Sequence, residues 1–141
     1  MDLDTLLNKN QKEAATYLDS HLRIIAGAGS GKTRVVTYRI AHLIQDVGID
    51  PRSILAITFT NKAANEMKER VNEVVGIHGS GTLICTIHSL CVRFLRQHIN
   101  VLNYPSNFTI MDEEDQKALI KKLYTQLEID AKVISIKSMI N

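Results

Sequence analysis

Tryptophan is absent from this 141-residue chain, and four tyrosines and three phenylalanines supply all of its aromatic content. A large aromatic-lined site is therefore not expected. Cysteine is nearly as scarce. The two present, Cys85 and Cys91, match no metal-ligand spacing and read as buried thiols in a reducing compartment. No apolar run approaches the roughly 20 residues that span a bilayer. The first ten residues, MDLDTLLNKN, are polar and acidic, unlike a signal peptide. Charge of one sign is lacking too: 17 basic against 15 acidic residues leave a net +2, which permits a polyanionic partner without arguing for one. Repeats and low-complexity segments are missing. What remains is an ordinary globular balance, 45% hydrophobic and 23% charged, suited to a soluble cytoplasmic protein with a real core.

Periodicity and punctuation divide the chain. Residues 8–18 read as a helix with Asn8 as N-cap, and 21–26 as a short strand. A helix over 32–45 carries Val35, Val36, Ile40, Leu43 and Ile44 on one side; Gly48 and Pro51 end it. The run ILAITF, residues 54–59, is nearly continuous in apolar residues, as in a strand covered on both faces. A helix over 61–75, a glycine-rich turn, a strand over 82–86 and a helix over 88–99 follow. Residues 108–111 form a possible short strand, 112–127 a helix, and the apolar tail a further helical stretch. Strands alternating with helices imply a parallel α/β sheet with crossover helices.

Three of the seven glycines fall in one stretch, Ala26-Gly27-Ala28-Gly29-Ser30-Gly31-Lys32-Thr33. It lies between a predicted strand and a predicted helix, which is the phosphate-binding P-loop context. Glycine permits positive φ, so successive N–H groups can point inward. With the helix N-terminus they make a cage of partial positive charge for an anion. Lys32 can reach the β- and γ-phosphates, and the Thr33 hydroxyl suits Mg²⁺. The strict pattern opens with glycine; here that place is taken by Ala26, the smallest departure available. Upstream, the carboxamide of Gln11 pairs a donor with an acceptor, matching the N6 and N7 edge of adenine. Downstream, Thr58-Phe59-Thr60-Asn61-Lys62 sits at the C-terminal end of the second strand, where open α/β sheets place ligands. Its hydroxyls, amide, cation and aromatic suit a sugar-phosphate backbone and a stacking base. A plain helix cap followed by an amphipathic helix would read the same way.

The segments LNKNQKEA, AGAGSGKT, AITFTNKAANEMKERV and CTIHSLCVRFLR occur in that order. Together they resemble the N-terminal motifs of superfamily 1 DNA helicases of the UvrD/PcrA/Rep type, over about residues 7–129. The resemblance implies a RecA-like P-loop NTPase fold, a three-layer parallel sheet, incomplete here. Residues 1–107 would be the N-terminal part of domain 1A, and 108–141 the start of helical subdomain 1B. By the same resemblance Gln11 reads adenine, residues 26–33 bind ATP and Mg²⁺, and Arg34 lies close to the nucleotide. Thr58 to Lys62, with Thr86, His88 and Ser89, contact single-stranded DNA. The implied activity is ATP-dependent 3′→5′ unwinding in DNA repair or replication. The helicase subunit of a recombination nuclease, or another P-loop NTPase such as a small kinase, is the alternative.

Phe108-Thr-Ile-Met-Asp112-Glu113 imitates a strand ending in a Mg²⁺-holding Asp-Glu pair. The carboxylates crowd the first turn of an apolar-striped helix, which is where they cap. In the resembled family the true pair, a second RecA-like domain and subdomain 2B come later. The chain therefore reads as an N-terminal fragment that binds but does not hydrolyse. Ile129, Val133, Ile134, Ile136, Met139 and Ile140 are expected to expose an apolar patch.

Overall fold

The computed structural model describes residues 1–129 and 135–140 and divides the chain into two compact units, Met1–Phe94 and Leu95–Asn141. In the first unit, α1 (Leu3–Leu6) and α2 (Lys9–Thr16) precede the glycine-rich loop, and α3 (Lys32–Gln45) follows it. Then come β1 (Leu55–Thr58), α4 (Asn61–Val75), β2 (Leu83–Thr86) and α5 (Ile87–His98), whose last residues belong to the second unit. The architecture is α/β. β1 and β2 pair in parallel, Leu55 opposite Leu83 and Thr58 opposite Thr86, and α4 makes the crossover that parallel pairing requires.

Local chemistry sets the ends of these elements. Gly31 adopts φ 80 and starts α3. Thr60 starts α4 by accepting the Ala63 N–H at 3.1 Å, and Gly76 at φ 63 stops it. Thr60→Ala should cost about 1 kcal/mol, since it leaves that first-turn donor without its cap. The midpoint of a urea melt checks this, and an unchanged midpoint would count against it.

Ile40 and Ala41 of α3, Ala64, Met67, Val71 and Val75 of α4, Ala56 and Ile84 of the sheet, and Ile54 just before β1 form the main core. A second cluster joins Leu3 and Leu7 to Ala15 of α2 and Val35 of α3. The N-terminal arm is also tied down by charge. The Met1 ammonium meets Asp46 at 3.2 Å, and Lys12 meets Asp4 at 2.7 Å. A hydrogen bond from His42, then the Met1 ammonium, hold the Asp46 carboxyl below its ordinary range.

Several expectations need correction. Residues 21–26 pair with no strand among the described residues, and Ile25 is 85% exposed. Their β-branched composition suits a strand, but a strand exists only where a neighbour accepts its hydrogen bonds. ILAITF is covered on one face only: Ile54 and Ala56 are buried, whereas Leu55 and Ile57 are about half exposed. Neither cysteine is buried, and Cys91 is exposed. Residues 108–111 form no strand.

In the second unit, α6 (Glu113–Gln126) starts at Asp112, whose carboxylate accepts the N–H groups of Glu114 and Asp115 at 2.8 Å. Asp112 is thus a helix cap, and Glu113 lies in the first turn of α6. The Arg96 guanidinium lies 4.1 Å from the centre of the Phe108 ring. α7 (Ile136–Ile140) closes the described chain. Of the apolar tail, Met139 is 58% exposed, while Ile129 and Ile136 are partly covered; Val133 and Ile134 lie outside the described residues, as does the side chain of Ile140. No helix among the described residues is long and apolar enough to cross a membrane.

Candidate functional site

The glycine-rich loop is built around a cation. Lys32 Nζ donates to the carbonyls of Ala26 at 2.9 Å and Gly27 at 2.6 Å. The Gly27 carbonyl also accepts the Ser30 hydroxyl at 2.8 Å. Gly29 and Gly31 both take positive φ, 73 and 80, a region that costs other residues about 1–2 kcal/mol. No side chain caps α3. The donors of its first turn therefore face outward beside an exposed ammonium group, which is the chemistry an anion needs.

α2 approaches the loop from the other side. Asn8 and Gln11 form a reciprocal capping box: Asn8 Oδ1 accepts the Gln11 N–H at 3.0 Å, and Gln11 Oε1 accepts the Asn8 N–H at 3.1 Å. Gln11 Nε2 then donates to the Ser30 carbonyl at 3.1 Å. A hollow of about 260 Å³ opens here, lined by Asn10, Gln11, Ile25, Ala26, Ser30 and Lys32 among others. Among the described residues, Lys32 is the one cation on its wall. A neighbouring hollow of about 490 Å³ is bordered by Gln11, Gly29, Gly31 and Arg34. Neither is lined by a carboxylate among the described residues.

The residues expected to bind a nucleotide therefore fall together. Gln11, Ala26, Ser30 and Lys32 share one hollow, and Gly29, Gly31 and Arg34 border the next. Thr33 is exposed in the first turn of α3, and its hydroxyl bonds no protein group among the described residues. Arg34 is turned elsewhere in part: its Nη2 donates to the Leu6 carbonyl at 2.8 Å, and its guanidinium lies over Tyr38. Gly27 and Ala28 complete the turn; a Cβ added at Gly27 would meet nothing within 4 Å. That open space, the uncapped helix start and the single ammonium group fit a polyphosphate. The free Thr33 hydroxyl suits a hard divalent cation.

A second set gathers at the C-terminal ends of β1 and β2, which the register places side by side at Thr58 and Thr86. Here the structure separates scaffolding from exposed groups. Thr58 Oγ1 donates to the Thr60 carbonyl at 3.0 Å, and the Thr60 hydroxyl caps α4. Thr86 is 6% exposed and its hydroxyl accepts the Ser89 N–H at 3.2 Å and meets the Ser89 hydroxyl at 2.9 Å. Phe59 stands 95% exposed, Asn61 and Lys62 are exposed just after it in sequence, and His88 is exposed at the start of α5. These four are the groups free to meet a ligand.

Some contributors were not singled out from sequence. Ile24, Ile25 and Asn10 line the hollow, a consequence of adjacency with no motif of its own. Arg39 reaches the end of α2 with its guanidinium, and only the packing of α3 on α2 reveals it.

The chain matches the UvrD/REP helicase N-terminal domain model over residues 7–141. It belongs to that family. Over 126 residues it is 48% identical to the ATP-dependent DNA helicase PcrA of Staphylococcus aureus, and equally to that of Staphylococcus epidermidis. The alignment covers 89% of this chain and 17% of each relative, so the chain spans about a sixth of the length of these relatives. The glycine-rich loop and the Thr58–Lys62 edge both lie within the matched region.

Proposed function

We propose that this chain supplies the ATP- and single-stranded-DNA-binding N-terminal part of an ATP-dependent 3′→5′ DNA helicase acting in DNA repair or replication. In this reading residues 1–107 are part of a RecA-like P-loop domain, 1A, and 108–141 begin subdomain 1B. The partners are the rest of such a helicase chain, with its second RecA-like domain and the 1B and 2B regions. The observation that carries it is the hollow in which Gln11, Ser30 and Lys32 meet at the uncapped start of α3. Lys32 would exchange its two carbonyl partners for phosphate oxygens, Gln11 would offer its carboxamide to adenine, and Thr33 would help hold Mg²⁺. Mg²⁺ supplies charge neutralisation on the phosphates. Among the described residues no carboxylate lines either hollow and Asp112 serves as a cap; in this reading the 141 residues bind ATP, and the rest of such a helicase chain supplies what turnover needs. Phe59 would stack on a base while Lys62 neutralises a phosphate.

The test is binding by the chain itself. Calorimetry should show ATP binding, and fluorescence anisotropy should show binding of an oligo-dT. Changing Phe59 and Lys62 together to alanine should weaken oligo-dT binding by about tenfold or more, since stacking alone contributes about 1–3 kcal/mol per base. ATP affinity should stay unchanged. Equal loss of both ligands would show general misfolding, and no loss of DNA would place the DNA path elsewhere.

A further inference from the structure

α3 grips the segment that carries Gln11 at two points. Arg34 donates to the Leu6 carbonyl ahead of α2. Five residues further along α3, half-buried Arg39 reaches the other end. Its Nη1 donates to the Tyr17 carbonyl at 2.6 Å and lies 3.2 Å from the Ala14 carbonyl and 3.5 Å from that of Ala15. Ala14 and Ala15 hold two of the last carbonyls of an eight-residue helix and Tyr17 is its C-cap, so none of the three has a partner within the helix and all lie at its negative pole. A guanidinium set against three of them is both a C-terminal cap and a charge-assisted clamp.

The clamp matters because α2 carries a single fully buried side chain. That is Ala15, packed in the cluster of Leu3, Leu7 and Val35 with Ala14 partly buried against it; Lys12 on Asp4 and Gln11 on Ser30 add polar ties. After Tyr17 the chain runs to the glycine-rich loop through residues 21–26, which pair with no strand among the described residues. Arg39 therefore ties down the point where α2 ends and the path to the loop begins. Gln11 sits at the other end of α2, its carboxamide already oriented by Asn8 and held on Ser30. A shift of α2 along α3 would carry that carboxamide off the hollow and leave Lys32 where it is.

We infer that Arg39 is a positioning residue for base recognition: it holds α2 so that Gln11 meets the base of a bound nucleotide, and has no part in holding the phosphates. This rests on the nucleotide-binding reading above. Calorimetry of the 141-residue chain with ATP and with inorganic tripolyphosphate separates the two. Arg39→Met, which keeps much of the aliphatic stem but removes the donor that meets all three carbonyls, should weaken ATP about tenfold, the effect of losing the hydrogen bond from Gln11 to the base. Tripolyphosphate affinity should hold within about twofold. Gln11→Ala should show the same pattern, and the double variant should be no worse than Gln11→Ala alone, the signature of two residues acting through one contact. Arg39→Gln should fall between wild type and Gln11→Ala. Proportional loss of both ligands, or additive losses in the double variant, overturns the positioning role. Failure of the wild-type chain to bind either ligand overturns the nucleotide-binding reading itself, and the inference with it.

Discussion

Lys32→Ala is expected to lower ATP affinity by at least about a hundredfold. Among the described residues the side chain is the one cation lining the hollow beside the α3 start, and a charge pair at about 4 Å is worth about 4 kcal/mol in a medium of intermediate dielectric. Part of that is offset by the two carbonyl bonds that the ammonium group gives up, to Ala26 at 2.9 Å and Gly27 at 2.6 Å. Tripolyphosphate should lose as much as ATP, because the lysine acts on the phosphates alone. This is the contrast with Arg39, where the two ligands part company. Folding should be little changed, since Lys32 is exposed and water can take over both carbonyls. Calorimetry with both ligands, beside a thermal melt, reads all three. ATP binding that survives the substitution would place the nucleotide away from the glycine-rich loop.

The oligo-dT arm depends on a different part of the unit. Thr58 and Thr86 are paired neighbours across the two strands, and their hydroxyls are occupied in holding Thr60 and Ser89. Alanine at Thr86 would therefore act through the start of α5 rather than through a lost ligand contact. Phe59 has no such duty. Its 95% exposure is costly for an aromatic side chain on a loop and is relieved by anything that stacks on it.

How much of this was legible in the sequence follows from the range of each interaction. α3 and α4 have the boundaries expected because their start and stop signals are local: Gly31, Thr60 and Gly76 act on the residues next to them. The glycine-rich loop was legible for the same reason. The strand expected over 21–26 was not found because pairing is a tertiary property, and β1 and β2 pair with each other. The exposed side of ILAITF shows a related limit. Apolar residues at Leu55 and Ile57 say that a face could be covered, but not by what. The bond from Gln11 to Ser30 spans 19 residues and that from Arg39 to Tyr17 spans 22. Neither has a motif, because each depends on how α2 lies against α3 and the loop.

Gly31→Ala joins these two ranges in one position and should have the second large effect. A Cβ there faces two obstacles. At φ 80 the backbone lies where non-glycine residues are strained, by about 1–2 kcal/mol. The new carbon would also stand 2.8 Å from Gln11 Nε2, closer than van der Waals contact allows. Gln11 can yield, being the end of a flexible side chain, but only by leaving the Ser30 carbonyl and disturbing the capping box at Asn8. The substitution should therefore lower stability by about 1–2 kcal/mol and move the carboxamide off the hollow. ATP should weaken about tenfold beyond any change in tripolyphosphate, as a lost hydrogen-bonded contact implies. Gly27→Ala is the control for stability. No positive φ is required there and its Cβ would meet open space, so its melt should match wild type. Equal melts for Gly27→Ala and Gly31→Ala would mean that the loop relaxes without strain, and an unchanged ATP-to-tripolyphosphate ratio would mean that Gln11 is not what distinguishes the base. The glycine at position 31 thus serves two demands at once, a left-handed turn that begins α3 and the space into which Gln11 fits.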